Sequence, residues 1–120
     1  MKTPIIKYSD KFLNSISWFM RVGGVTIWPW IILREKYRDF PYYIEKAKET
    51  INHESIHIKQ QQELLILPFY IWYFIEWVIR LFSKGNAYRN ISFEQEAYDN
   101  EANPEYLKTR ESFAWMKYIF

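Results

Sequence analysis

Between Phe12 and Val22 the chain is apolar but mixed, with no clean period, and Gly23-Gly24 then interrupts it. The run that follows, Val25-Thr26-Ile27-Trp28-Pro29-Trp30-Ile31-Ile32-Leu33, is β-branched and aromatic and ends at the charged cluster Arg34-Glu35-Lys36. This composition predicts a strand or a strand pair. Pro29 cannot donate to a ladder, so it confines the run to a sheet edge or breaks it, and it disfavours a helix.

From about Tyr43 the pattern becomes helical. Ile44, Ala47, Ile51 and Glu54 form one stripe at spacings of three and four, and good helix formers continue to Leu65. Pro68 is expected to kink or interrupt this helix. The next segment, residues 64–82, reads LLILPFYIWYFIEWVIRLF, with Glu76 and Arg80 at a spacing that lets them pair. As one helix it would span roughly 28 Å, close to a bilayer core. Each charge placed centrally in a bilayer costs about 2.5–3.5 kcal/mol. A buried or membrane-surface helix is therefore favoured over a true span. Ser83-Lys84-Gly85-Asn86 ends it with a cation and a glycine. A short loop over residues 87–91 leads to Ser92-Phe93-Glu94-Gln95, which has the form of a capping box and predicts a helix from Ser92 to about Ala102. Asn103-Pro104-Glu105 resembles an N-cap with proline at the first helical position, starting a last helix through Trp115. The expected fold is mainly α with a small N-terminal β element, an α+β chain. At 120 residues it forms one domain, 1–120.

Charge narrows the function classes. Lys and Arg number 16 against 14 Asp and Glu, a net +2, so no nucleic-acid partner is expected. The chain has no cysteine, which excludes disulfide scaffolds, thiolate zinc fingers and cysteine nucleophiles. Aromatic residues reach 21%, a load suited to filling a small core or to a membrane interface. The amino terminus, MKTPIIKYSDKF, lacks the apolar run and cleavage site of a secretory signal. The expected location is therefore membrane-associated, at an inner membrane, or cytoplasmic.

The chemistry concentrates in His53-Glu54-Ser55-Ile56-His57, an HExxH motif inside the predicted helix. Residues at i and i+4 differ by about 40° around a helix, so the two imidazoles project from one face and can share a metal ion. Glu54, about 100° around, can reach a metal-bound water without filling a coordination site. Zinc lowers the pKa of such a water to about 7, and Glu54 can then accept its proton. Both histidines of the chain lie in this motif. A third ligand must therefore be a carboxylate or a tyrosine. The Ser92 helix is the natural source: Glu94 is favoured, sharing a face with Ala97, Tyr98 and Glu101, and Glu96 stands second.

These residues resemble the gluzincins, zinc metallopeptidases that take two His from HExxH and a Glu from a downstream helix. His53 to Gln61 is similar to the HExxHxxQQ form of minimal metallopeptidase-like domains, and Glu94-Gln95-Glu96-Ala97 resembles the start of the ExxAD element of integral-membrane gluzincins. The resemblance covers about Asn52 to Glu101. It implies His53, His57 and Glu94 as zinc ligands and Glu54 as general base and acid, with the HExxH helix packed on the Glu-bearing helix. Where the family has an Asp that supports a ligand histidine, this chain has Tyr98, with Asp99 one step later. The family's cleft-lining edge strand, which pairs with extended substrate, would correspond to Val25–Leu33.

Tyr88, Arg89 and Tyr98 are candidate donors to a developing oxyanion or to substrate. Gln60 and Gln61, on the His57 side of the helix, are candidates to hold the site or bind substrate. The function expected from these readings is a zinc-dependent peptidase acting on peptide or protein substrates. The alternative is a non-catalytic metal-retaining or helical subunit of a membrane or multi-protein assembly, with a membrane or membrane-protein partner plausible in either case. A membrane-surface anchor carrying a fortuitous motif is a third reading.

Overall fold

A computed structural model of the chain describes residues 5–16 and 23–119. Part of the aperiodic stretch, residues 17–22, lies outside the described residues, as do residues 1–4 of the amino-terminal segment. In order, the elements are β1 (Ile5–Tyr8), α1 (Asp10–Ser15), β2 (Gly24–Ile27), β3 (Trp30–Leu33), α2 (Lys36–Asp39), α3 (Ile44–Leu64), α4 (Ile66–Arg80), α5 (Ala87–Asn90), α6 (Ser92–Asn100) and α7 (Tyr106–Thr109). A 3-10 turn over Ala114–Tyr118 follows. The architecture is α+β: helices built on a small sheet near the amino terminus.

Pro29 splits the aromatic run into a strand pair. Trp28 and Pro29 form the turn between β2 and β3, joined by a cis peptide, and the two strands pair antiparallel with Thr26 opposite Ile31. β1 adds to the other side of β3 in parallel, with Ile6 opposite Ile31, so the order is β1-β3-β2. β1 and α1 carry no sequence pattern strong enough to predict them. Strand period two sends Ile31 and Leu33 to one face, where Ile58 of α3 and the partly buried Ile51 cover them. Gly24 begins β2 where the backbones crowd. A Cβ there would stand 2.6 Å from Leu33 Cδ2 and 3.2 Å from Thr50 Cγ2 of α3. Thr26, two residues on, shares the buried face and so points at α3.

The helices depart from expectation at their ends. α3 stops at Leu64, where Leu65 takes φ +60° and turns the chain by 111°. The break thus comes three residues before Pro68, which falls in the first turn of α4. There a missing N–H costs no intrahelical bond. Residues 64–82 are consequently not one rod. α4 covers 15 residues, about 22 Å, and among the described residues no single helix is long and apolar enough to cross a membrane. Glu76 and Arg80 pair at 4.0 Å as their spacing predicts; Arg80 also donates to Ile119 O, and Glu76 turns inward.

α6 does begin at Ser92, but without a capping box. Glu76 of α4 accepts from the Ser92 backbone N–H at 2.9 Å and from the Ser92 hydroxyl, while Gln95 Nε2 donates to Asn90 O. A carboxylate from another helix thus serves the α6 N-terminus, where negative charge is favoured. Residues 87–91, expected as loop, hold the short helix α5, which Asn86 caps by accepting from Arg89 N–H.

The expected helix from Asn103 to Trp115 is divided into α7 and the 3-10 turn. Asn103 Oδ1 accepts from Glu105 N–H, but the helix ends at Thr109. Arg110 is drawn into a buried ion cluster with Glu63 and Glu96, and Phe113 adopts φ +59° with its N–H bonded to Glu63. Trp115 then packs on Phe93, Ile91 and Phe69 in the aromatic core between α4 and α6. That core holds α6 against α3.

Candidate metal and catalytic site

Helical period places His53 and His57 on the buried face of α3, and the packing of α6 brings Glu94 to meet them. Glu94 Oε1 lies 3.0 Å from His53 Nε2 and 3.0 Å from His57 Nε2. One ligand atom from each of the three residues lies within 4.8 Å of the others, and all three are buried. This is the donor set of a zinc site with three protein ligands.

The outer ring nitrogens have their own neighbours. His57 Nδ1 is 2.7 Å from Gln60 Oε1, and Gln60 Nε2 donates to Phe93 O and to Glu96 Oε1. His53 Nδ1 lies 3.3 Å from Glu101 Oε2, and the Tyr98 ring meets His53 edge-on at 4.5 Å. The Gln60 contact directs His57 Nε2 inward, while His53 Nδ1 faces the Glu101 carboxylate without a hydrogen-bond partner among the described residues. Such contacts orient histidine ligands and raise their basicity. The residue that sequence comparison makes suspect, Asp99, is exposed; the carboxylate beside His53 comes instead from Glu101, two helical turns beyond Glu94. If the cluster holds zinc, Glu101→Ala is expected to weaken its binding by about 10–100-fold, read by chelator competition, with the fold intact by circular dichroism.

Without a metal the site is a buried ion cluster. Burial works against the His53 imidazolium, but Glu101 and Glu94 outweigh it and leave its pKa raised to about 10. Burial also opposes ionisation of Glu94, and the two imidazoles overcome it, holding the carboxyl well below the usual range. Tyr73 of α4 donates its hydroxyl to Glu94 Oε2 at 2.7 Å. Burial and the adjacent Glu94 push that phenol well above its ordinary value, so it remains a donor.

Glu54 sits between two openings. Thr26 donates to its Oε1 at 2.7 Å, and its Oε2 lies 3.8 Å from His53 Nε2. Burial raises the Glu54 pKa, while the two histidines pull it down. On one side is an apolar cleft of about 370 Å³, bounded by β2 and by Phe69, Tyr70, Tyr73 and Phe74 of α4, with His57 and Glu94 in its wall. On the other is a polar pocket of about 70 Å³, lined by His53, Glu101, Lys46 and Tyr98 among others. Tyr88 borders both.

The remaining candidates are placed as follows. Tyr88 is buried beside the site, and Tyr98 donates to its hydroxyl at 3.3 Å. Arg89 is exposed, its guanidinium stacked 4.0 Å over the Tyr98 ring. Glu96 does not join the metal cluster. It faces Arg110, Tyr106 and Gln60. Gln61 Nε2 reaches toward Thr26 O at 3.4 Å, and its Oε1 has no hydrogen-bond partner among the described residues. Thr26, Tyr73 and Glu76 were not legible as site or support residues, because each acts across the fold from a segment without a motif. For Glu101 a signal existed: it shares the Glu94 face at helical spacing. No family model, curated protein or solved structure matches this chain.

Proposed function

We propose that the chain is a zinc-dependent peptidase of the gluzincin type, with His53, His57 and Glu94 holding the ion and Glu54 handling protons. The observation that carries this reading is the approach of one Glu94 oxygen to both inward imidazole nitrogens at 3.0 Å, with the Glu54 carboxyl alongside. Zinc in such a set supplies Lewis acidity, polarising a carbonyl and acidifying water.

The chain's own groups then divide the work. Thr26 occupies Glu54 Oε1, so Oε2 is the atom that takes the proton from the attacking water and later delivers it to the leaving amine. Burial raises the Glu54 pKa in the direction that makes it a better base. Tyr98 donates to the Tyr88 oxygen, leaving the Tyr88 proton for an oxyanion in the cleft. β2 is an edge strand of the sheet and lines that cleft, as an extended peptide requires. Its Thr26 carbonyl is already taken by Tyr70 at 3.1 Å, while the unpartnered Gln61 Oε1 is an acceptor for a substrate N–H. Of the two expected locations, association with a membrane accords better with the exposed apolar side of α4 than a freely soluble state does.

The test is Glu54→Gln. Zinc content should stay stoichiometric while cleavage of a peptide library falls by about 10²–10⁴-fold or more. Wild-type protein that holds zinc and cleaves nothing would replace this reading with the non-catalytic subunit. Equal cleavage by the variant would remove Glu54 from the chemistry.

A further inference from the structure

The polar groups of α4 turn inward, beside its aromatic core contacts, and its outer face is apolar. Its inward positions are Phe69, Tyr73, Glu76 and Arg80, and three of these carry polar groups engaged by Glu94, Ser92 and Ile119. Its outward positions, Leu67, Ile71, Phe74, Ile75, Val78 and Ile79, contain no polar group, and all but Val78 are exposed. Beyond the helix end the stripe continues in Phe82, 87% exposed. Trp72 stands at the border, its ring 41% exposed and its indole N–H bonded inward to Glu76. A contiguous apolar face of this kind marks an interaction site, and amphipathic rings at its margin suit a lipid–water boundary.

Charge selects the occupant. Between Ile66 and Asn90 the basic residues are Arg80, Lys84 and Arg89, and the only acid is Glu76, which is buried. Lys117, on the turn that Arg80 contacts through Ile119, is exposed but lies 3.5 Å from the likewise exposed Glu111, so the excess positive charge comes from the 66–90 segment. An apolar stripe flanked by cations, on a helix too short to span, is the pattern of a helix lying in the plane of an anionic bilayer.

We infer that α4 docks the protein on an anionic membrane surface, its Leu67–Ile79 stripe immersed among the acyl chains and its basic end at the headgroups. Phe74 belongs both to this stripe and to the wall of the apolar cleft, so docking opens the cleft at the lipid boundary. On the peptidase reading above, the substrate is then an extended apolar segment presented at a membrane surface.

Vesicle flotation tests this directly. Wild-type protein should float with phosphatidylcholine vesicles containing phosphatidylglycerol about tenfold more than with phosphatidylcholine alone, and added salt should reduce the difference. The double variant Ile71→Glu/Ile75→Glu should stay at the bottom of the gradient with its zinc content and circular dichroism unchanged. The Glu54→Gln protein should float like wild type, so loss of cleavage and loss of docking are read separately. Wild type that fails to float with either vesicle overturns the inference. So does a double variant that floats equally, or a wild-type dimer that the double variant splits with no flotation by either.

Discussion

Glu94→Ala is expected, on the zinc reading proposed above, to empty the site, lowering zinc affinity beyond the 10–100-fold that loss of a supporting contact produces. Only two imidazoles remain in that variant, one protein ligand short of a catalytic zinc set. The fold should survive. Against burial, the His53 pKa is raised by Glu101 first and then by Glu94 and Glu54; with Glu94 gone, Glu101 and Glu54 remain as its counter-charges. Tyr73 loses its acceptor, a cost of about 1–3 kcal/mol if water does not replace it. Glu96→Ala should give the opposite result: zinc retained by each folded molecule, but a less stable fold, because Glu96 meets Gln60, Tyr106 and Arg110 and not the metal. Zinc content after gel filtration in metal-free buffer, measured beside thermal melts, separates the two. If Glu96→Ala empties the site and Glu94→Ala leaves it full, the assignment of the third ligand is reversed.

The largest loss of stability is expected from Arg110→Ala. The guanidinium holds Glu96 through Nε at 2.5 Å and Glu63 through both terminal nitrogens at 2.9 and 3.0 Å, and its side chain is 4% exposed. Removing it leaves two carboxylates facing an uncompensated interior, a loss of about 3–5 kcal/mol. For a chain of this size that lowers Tm by more than about 10 °C. The effect has a pH signature. Burial raises the Glu96 pKa, but Arg110, Gln60 and Tyr106 outweigh it and leave the group depressed in the wild type. Its contribution is therefore present above the ordinary carboxylate pKa and lost as pH falls through the depressed one. In the variant, Glu96 can accept a proton at mild acidity and relieve its buried charge. The gap in Tm between wild type and variant should narrow from pH 7.5 to about pH 5. A gap that widens instead would show that Arg110 does not act on Glu96 by charge.

The same cluster explains why the C-terminal helix stops at Thr109, short of the Trp115 its local pattern predicts. Asn103-Pro104-Glu105 does form a local turn, but helix propensity beyond it competes with burying Arg110 between acids from α3 and α6. The long-range ion pairs win, and the chain leaves the helix after Thr109. Ser92 teaches the same lesson. A capping box is a local pattern, and a carboxylate from α4 displaced it because Glu76 had to satisfy its own burial. Pro68 constrained only where a helix could not continue; the position of the turn at Leu65 followed from how α4 packs.

What the amino-acid order by itself determined was whatever depends on neighbours along the chain. The helix over the HExxH segment, the shared face of His53 and His57, and the break at Trp28-Pro29 follow from backbone geometry repeating every few residues. Tertiary structure decided which distant group meets which: Glu94 rather than Glu96 at the imidazoles, Glu101 behind His53, Thr26 and Tyr73 against the two carboxylates. It also decided that α4 turns its polar residues inward and its apolar stripe out. These outcomes rest on the packing of α3, α4 and α6 around one aromatic core. There, burying a charge beside its partner outweighs the local preference of any single segment.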